Sequence, residues 1–444
     1  MPIGPGTTLR WLSKHGLARI GIRAAARRGD PQAAFLLDPE LRADPYPFYA
    51  KIRARDALVT GGFLLATARH DVATAVLRSD AFGVGFHSRP LPAPFALMRW
   101  LGQWHRPIGP VDPPSMLVVD PPVHTRYRKL VSKVFTPRAI EALRPRIAEL
   151  CEEILDRIGT RDGGVDLIAE YASQVPVTVI AEILGVPVAM REQFLRWGAT
   201  AASTLDLGLT LRRYAATEVA IRQGNRWMRG HLRRLRAEPG EDLLSRLVHV
   251  EDGGADGRAR LTEDELIATA GLLLGAGFET TVNLIGTGTA LLAAHPDQRE
   301  SLGQDPHRWR NAVEEILRYD SPVQNTGRVC RTATEVAGRR IRPNSVVSVL
   351  IGGANRDPAV FEDPDRFDVT RANARDHLAF SGGVHFCLGA ALARLEGQIA
   401  LQALFSRYPD LALAGEPHRR PTRILRGYDA MPVRLAATTA SGPR

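Results

Sequence analysis

A single cysteine lies where a thiolate could form. Cys387 belongs to the stretch HLAFSGGVHFCLGAALARLEG, residues 377–397, and follows two consecutive glycines. The residues after it, 390–398, are rich in alanine, leucine and other helix formers. Cys387 therefore comes just before a predicted helix, where unpaired backbone N–H groups and the helix dipole lower the pKa of a thiol. The position predicts a nucleophile or a metal ligand, although a lone buried cysteine is more often structural.

A carboxylate and a hydroxyl interrupt a long apolar helix. Residues 262–294 predict this helix, and residues 266–278 within it are apolar or small on every side, which indicates burial. Glu279 and Thr280 follow directly. Because buried polar groups need partners, this pair either joins two helices by hydrogen bonds or delivers protons into a cavity.

The residues around Glu279 and Thr280 fit either role, a hydrogen-bond link between helices or proton delivery. Thr280 can donate a hydrogen bond to the carbonyl of Ala276, four residues earlier. Gly277 would weaken the helix and leave room for a ligand beside the backbone. Thr262 and Glu265 form a capping box that predicts where the helix begins.

The elements that must position these groups are mainly helical. Apolar residues recur at helical spacing in four long segments: 137–158, 166–184, 215–236 and 262–294. Strand-like runs are short and lie near both ends of the chain: 57–67, 335–350 and 428–436. The proline-rich stretch 88–123 predicts a lid, because long irregular segments in compact enzymes are usually functional.

Composition narrows the class of protein. The chain has 444 residues, 44% hydrophobic and 24% charged, with a net charge of +10 and a pI near 10.0. Three distant cysteines argue against a disulfide framework or a four-cysteine zinc site. We expect no nucleic-acid partner, because no recognised binding module is evident. No run approaches the ~20 apolar residues of a membrane span, so we predict a soluble cytoplasmic protein.

The N-terminal segment is basic. Residues 1–29 contain Arg10, Lys14 and four further arginines but no acid. A transit peptide or a surface-binding helix would have this composition. A leader helix that lies on the protein body is the simpler interpretation.

Several motifs in order resemble those of one enzyme family. Phe380, Gly383, His385, Cys387 and Gly389 have the spacing of the haem-binding loop of cytochrome P450 enzymes. AGFETT, 276–281, resembles the oxygen-activating motif of that family, and EEILR, 314–318, resembles its Glu-x-x-Arg pair. DPPVHTRYRKLV, 120–131, is similar to a helix of its soluble bacterial members.

The resemblance implies a fold and a cofactor. The fold would be mainly α, with a large helical region and a smaller β-rich region, over residues 35–436. Residues 1–34 would form a basic leader and 437–444 a C-terminal tail. Haem b would be the cofactor, with Cys387 as the iron ligand. The implied residues in contact with haem or its propionates are His124, Arg128, Ala276, Gly277, Arg328, Phe380, Gly383, His385 and Gly389. Glu315, Arg318 and Arg366 would form a structural triad.

The resemblance also implies a reaction. The enzyme would activate O2 with electrons that NAD(P)H supplies through an acidic ferredoxin or flavodoxin-type partner, and would oxidise a lipophilic small molecule. Glu279 and Thr280 would deliver protons. Arg126, Lys129 and Lys133 share one helix face and predict a docking patch for that partner. We expect a monomer. The alternatives are a peroxide-driven peroxygenase of the same fold and a non-catalytic haem sensor or binder.

Overall fold

The computed structural model describes residues 3–62, 64–85, 100, 106–133, 135–160, 164–250 and 260–435. Residues 88–99 and 101–105 of the predicted lid and the whole predicted C-terminal tail lie outside these residues. The described part is mainly helical with small sheets, as the sequence predicts.

Helices form the larger region. In chain order they are α1 (Pro5–Trp11), α2 (Leu17–Arg27), α3 (Pro31–Leu37), α4 (Pro39–Ala43), α5 (Tyr46–Arg55), α6 (His70–Arg78), α7 (Val123–Ser132), α8 (Pro137–Glu141), α9 (Arg144–Gly159), α10 (Gln174–Ile183), α11 (Arg191–Ala202), α12 (Leu211–Ala237), α13 (Leu243–His249), α14 (Glu263–Ala294), α15 (Pro296–Gln304), α16 (Trp309–Tyr319), α17 (Ile351–Ala354) and α18 (Ala390–Arg407). The predicted helix 137–158 is divided into α8 and α9, because a proline at the start of α9 cannot continue a preceding helix.

Strands form the smaller region. They are β1 (Val59–Thr60), β2 (Leu65–Thr67), β3 (Phe82–Gly83), β4 (Val165–Asp166), β5 (Thr326–Cys330), β6 (Thr334–Val336), β7 (Arg339–Ile341), β8 (Val346–Val349), β9 (Ala412–Leu413), β10 (His418–Arg419), β11 (Tyr428–Ala430) and β12 (Pro432–Arg434). The largest sheet has the order β1-β2-β8-β5-β3, with β2 and β8 parallel and the other pairs antiparallel. The remaining sheets are antiparallel: β4-β12-β9, β6-β7 and β10-β11.

The helix α14 runs through the largest hydrophobic core. Its start has the predicted capping box, in which Thr262 and Glu265 each accept the backbone N–H of the other. It packs against α10, α11 and α18. In the part of the chain that the structure describes, α14 is the helix long and apolar enough to cross a membrane, and 67% of its most apolar window is buried in the protein. Burial of this extent is that of a core helix.

The N-terminal segment lies on the body of the protein. Arg10 and Glu218, on α1 and α12, form a buried ion pair with a distance of 2.7 Å between Nη2 and Oε2. Trp11 Nε1 donates to the carbonyl of Leu209 at 2.8 Å. These contacts agree with the prediction of a leader helix that packs on the surface.

Candidate active site

The loop before α18 has a fixed shape. Gly383 has φ +65°, and a Cβ there would lie 2.4 Å from the carbonyl oxygen of Leu77. Only glycine satisfies both conditions, because other residues strain at this φ and would clash with the backbone of α6. Cys387 N then donates to Phe380 O at 2.9 Å, which closes the loop three residues before α18 begins.

The thiol of Cys387 faces a hollow inside the protein. Cys387 is exposed, yet burial among protein atoms raises the pKa of its thiol. A hydrogen bond from the backbone of Gly389 and the charges of Arg128 and Arg394 lower that pKa, but they do not outweigh burial. The sequence predicted that the pKa of the Cys387 thiol is lowered, and the folded protein corrects this direction. A cation at the sulfur would supply the missing compensation, because coordination deprotonates a thiol.

Open positions also occur on α14 and beside α18. Ala276 is exposed although α14 is a core helix. A Cβ on Gly275 of α14, or on Gly389 beside α18, would meet no other described atom within 4 Å. The described residues contain no group of three or more His, Cys, Asp or Glu side chains that could hold a metal ion. A metal at Cys387 would therefore have to bring further ligands with it, as haem iron does with its porphyrin.

Basic side chains gather beside this hollow with few counter-charges. The rings of His124 and His385 lie 4.2 Å apart, and burial, followed by the charges of His385 and Arg128, lowers the pKa of His124 to about 4. Burial likewise lowers the pKa of Arg328 to about 10 and also lowers that of Arg128. Arg328 donates to Ser381 Oγ at 3.2 Å, in the cysteine loop.

Asp120 is the acid that reaches this basic cluster. Its carboxylate accepts hydrogen bonds from the backbone of Val84 and Gly85 and lies 3.8 Å from His385 Nε2. That histidine nitrogen has no hydrogen-bond partner among the described residues. Four buried or half-buried bases near one acid fit a ligand that carries carboxylates of its own, such as the haem propionates.

The polar pair of α14 is divided between two partners. Thr280 Oγ1 donates to Ala276 O at 2.9 Å, as the sequence predicts. Glu279 is buried and forms an ion pair with Arg420, which the sequence did not predict. Arg420 Nε also lies 3.1 Å from Asp429 Oδ1. Glu279 and Arg420 meet only because the β10–β11 hairpin folds against α14.

Gly277 lies where α14 approaches a neighbouring helix. A Cβ on this residue would lie 3.1 Å from Ile180 Cγ1 of α10. Its missing side chain therefore allows α14 and α10 to pack closely. This contact explains the glycine by packing, and the predicted contact of Gly277 with a ligand stays a prediction.

The predicted triad has one wrong member. Glu315 and Arg318 are fully buried and 2.7 Å apart, as expected. Arg371, not Arg366, completes the group, because its Nε lies 3.2 Å from Glu315 Oε2 and its side chain is 8% exposed. The side chain of Arg366 is 65% exposed and reaches only Asp368, at 3.7 Å. Arg366 and Arg371 lie five residues apart in one loop, and only the turns of this loop decide which one points inward.

A second buried acid supports the cysteine loop. Glu314 accepts from Arg394 Nε at 2.8 Å and lies 3.0 Å from His377 Nε2. Burial alone would raise the pKa of Glu314, but these two partners outweigh it and lower that pKa to about 2. Arg394 also covers the ring of Phe380 at 4.4 Å. The cluster ties α16 to the loop that holds Cys387, and the sequence analysis missed it.

Arg126 does not belong to an exposed docking patch, in contrast to the prediction. The side chain of Arg126 is 12% exposed and pairs with Glu265 at 3.3 Å. It therefore fastens α7 to the start of α14. Lys129 and Lys133 are exposed, as the prediction requires.

Comparison with known proteins agrees with this arrangement. The cytochrome P450 family model matches residues 203–420. The protein designated cytochrome P450 140 in Mycobacterium tuberculosis is 49% identical over 429 residues, 96% of this chain and 97% of that protein. The chain belongs to the cytochrome P450 family. The 6-deoxyerythronolide B hydroxylase of Saccharopolyspora erythraea is 46% identical over 324 residues, 72% of this chain and 78% of that P450.

Solved P450 structures share the fold. The crystal structure of P450BioI, bound to acyl carrier protein that carries hexadec-9Z-enoic acid, has a TM-score of 0.79 and 34% sequence identity. The comparison covers 90% of this chain and 99% of P450BioI. The P450 PksS from Bacillus subtilis 168 gives a TM-score of 0.78 over the same share. The mainly α P450 fold and the monooxygenase class are thus confirmed, and the family implies haem and O2.

Proposed function

We propose that this P450 monooxygenase oxidises a lipophilic small molecule, with electrons from NAD(P)H that arrive through a ferredoxin or flavodoxin-type partner. The observation that carries the proposal is the exposed residue Cys387, which lies beside a buried basic cluster. A thiolate ligand and counter-charges for two propionates are the requirements of haem b in this family.

The residues that would hold haem follow from the site. Cys387 would ligate the iron. His124, Arg128, Arg328 and His385 would contact the propionates, and Phe380, Gly383 and Gly389 would shape the loop on the sulfur side. Ala276 would border the haem site from α14. When bound, haem with a thiolate ligand supplies O–O bond cleavage and the oxidising power for an unreactive C–H bond.

The protein's own part in proton delivery depends on two contacts. Thr280 must release Ala276 O before its hydroxyl can donate toward the hollow. Glu279 must leave Arg420 before its carboxylate can carry a proton from the hairpin side of α14 to Thr280. We propose that both groups exchange these internal partners for water during turnover. The Arg420 contact holds the carboxylate away from the hollow at rest.

Two features support a lipophilic substrate. Leu272 and Leu273 are buried aliphatic residues one turn before the exposed Ala276 on α14, so the surroundings of Ala276 on this helix are apolar. Related proteins carry names that specify 6-deoxyerythronolide B, hexadec-9Z-enoic acid on an acyl carrier protein, and vitamin D(3). We infer a substrate of comparable hydrophobicity.

The electron donor would dock at Lys129 on α7 and at Lys133, directly after that helix. This helix also carries His124 and Arg128, so a donor bound there would lie close to the haem edge. The two lysines are exposed and suit an acidic surface. The peroxygenase alternative would need no such partner.

The first test is the carbon monoxide difference spectrum of the dithionite-reduced protein, followed by turnover with a surrogate ferredoxin and its reductase. A strongly red-shifted Soret band is expected, and Cys387→His should retain haem without that band. Product formation should depend on the ferredoxin. Normal turnover with peroxide and none with ferredoxin would contradict the proposed electron route, and a haem-free protein would contradict the site.

A further inference from the structure

Contacts with the protein body fix which side of the N-terminal helices faces solvent. Arg10 pairs with Glu218, and both side chains are 5% exposed. Lys14 Nζ lies 2.5 Å from Asp112 Oδ1, so α1 and the π turn Leu12–Gly16 are fastened at two points. On α2, Ile22 and Ala25 are buried. The opposite side of α2 must therefore face solvent.

That solvent side of α2 combines an aliphatic residue with arginines. Ile20 is 63% exposed, and Arg23 and Arg27 are also exposed. These three residues are spaced i, i+3 and i+7, so they share one face of the helix. An isoleucine this exposed would be stabilised if an external apolar surface covered it.

A second segment extends this face. Arg19 Nη1 donates to the carbonyl of Gly208 at 3.1 Å, so the segments that hold Ile20 and Leu207 touch through the residue next to each of them. Leu207 is 49% exposed. Arg212, at the start of α12, is exposed as well. The two segments thus present two aliphatic and several cationic side chains.

The exposed charged residues on α2 and in the first turn of α12 are basic, and Asp206, next to Leu207, is buried beside Arg423. Residues 3–29 contain no acid. In residues 207–237 the single acid is Glu218, which is buried against Arg10. We define the Ile20 patch as Ile20, Arg23, Arg27, Leu207 and Arg212.

We propose that the Ile20 patch docks the protein on the surface of a membrane that contains anionic lipid. Arginines attract anionic headgroups, and their long aliphatic stems let the charge stay at headgroup level while isoleucine and leucine enter the acyl boundary. A single-stranded nucleic acid would need aromatic stacking residues, which the patch lacks. The contact is shallow and sensitive to salt, because only two aliphatic side chains enter.

This docking uses none of the residues of the candidate active site. It stands independently of the proposed function and places the protein at the boundary where lipophilic molecules concentrate. Haem binding and turnover of a soluble substrate should therefore proceed without vesicles.

The test is co-sedimentation of the haem-loaded full chain with phosphatidylcholine vesicles, with and without phosphatidylglycerol. The variant Arg23→Glu/Arg27→Glu should bind the anionic vesicles at least about tenfold more weakly, since each arginine at such a surface contributes about fivefold. The matched control Lys129→Glu/Lys133→Glu makes the same change in net charge on and directly after α7 and should alter binding less than about twofold. Ile20→Ser/Leu207→Ser should weaken binding several-fold.

Three kinds of result would overturn the proposal. Equal binding to neutral and anionic vesicles, or no binding to either, removes its electrostatic basis. An equal loss in the Lys129→Glu/Lys133→Glu control means that net charge, rather than this patch, governs binding. Unchanged binding of Ile20→Ser/Leu207→Ser removes the aliphatic contact. Retention of the reduced carbon monoxide spectrum in every variant shows that the protein remains folded.

Discussion

Replacement of Arg371 should destabilise the protein far more than replacement of Arg366. Arg371 Nε lies 3.2 Å from a fully buried carboxylate oxygen of Glu315. Its guanidinium also donates to the carbonyls of Glu362, Asp363 and Arg366. Arg371→Ala would leave Glu315 with Arg318 and the backbone N–H of Asp368 as partners.

The expected cost follows from these contacts. Removal of one partner from a buried ion pair costs about 3–5 kcal/mol. Because Glu315 keeps a bidentate contact with Arg318, we expect a value near the lower end, about 3 kcal/mol. Arg366 is largely exposed and lies 3.7 Å from Asp368, so Arg366→Ala should cost about 0–0.5 kcal/mol.

Urea unfolding of the haem-loaded protein, followed by circular dichroism and by the Soret band, measures this difference. Arg371→Lys is a third variant, because it keeps the positive charge but loses the planar set of donors, and it should fall between wild type and Arg371→Ala. Haem content at equal protein concentration should decrease in the same order. An Arg366→Ala variant that is as unstable as Arg371→Ala would refute the assignment of Arg371 to the triad.

Three further predictions concern the site and its surroundings. Thr280→Ala should keep haem and substrate binding but divert electrons to peroxide, and undiminished product per NAD(P)H consumed would contradict this role. Burial raises the pKa of Glu396 from 4.5 to about 8, so the folded state binds more protons than the unfolded state between these values. Stability should therefore fall by on the order of 3 kcal/mol as pH rises from 5 to 8. Glu396→Gln should flatten that dependence in urea unfolding, and an equal slope in both proteins would exclude Glu396 as its source. Lys129→Glu/Lys133→Glu should slow reduction of this P450 by an acidic ferredoxin at least about tenfold at low salt, measured by stopped flow. At high salt the rates of the wild type and the variant should converge. Equal rates at low salt would rule out docking at these lysines.

The sequence by itself determined the features that depend on neighbours within a few residues. The capping box of Thr262 and Glu265, the extent of α14 and the bond from Thr280 to Ala276 all follow from helix geometry. The position of Cys387 just before α18 follows from glycines and then helix formers in its own segment. The order of these motifs along the chain was also sufficient to indicate the family.

Tertiary structure decided which distant side chains meet. Glu279 pairs with Arg420, and Arg126 with Glu265, because a hairpin and a helix from other parts of the chain pack beside α14. The same holds for the choice of Arg371 over Arg366, which depends on the turns of one loop. Backbone periodicity fixes local contacts, but it does not specify where a loop directs its charges. The raised pKa of the Cys387 thiol has the same origin, because its burial comes from elements that assemble only in the folded protein.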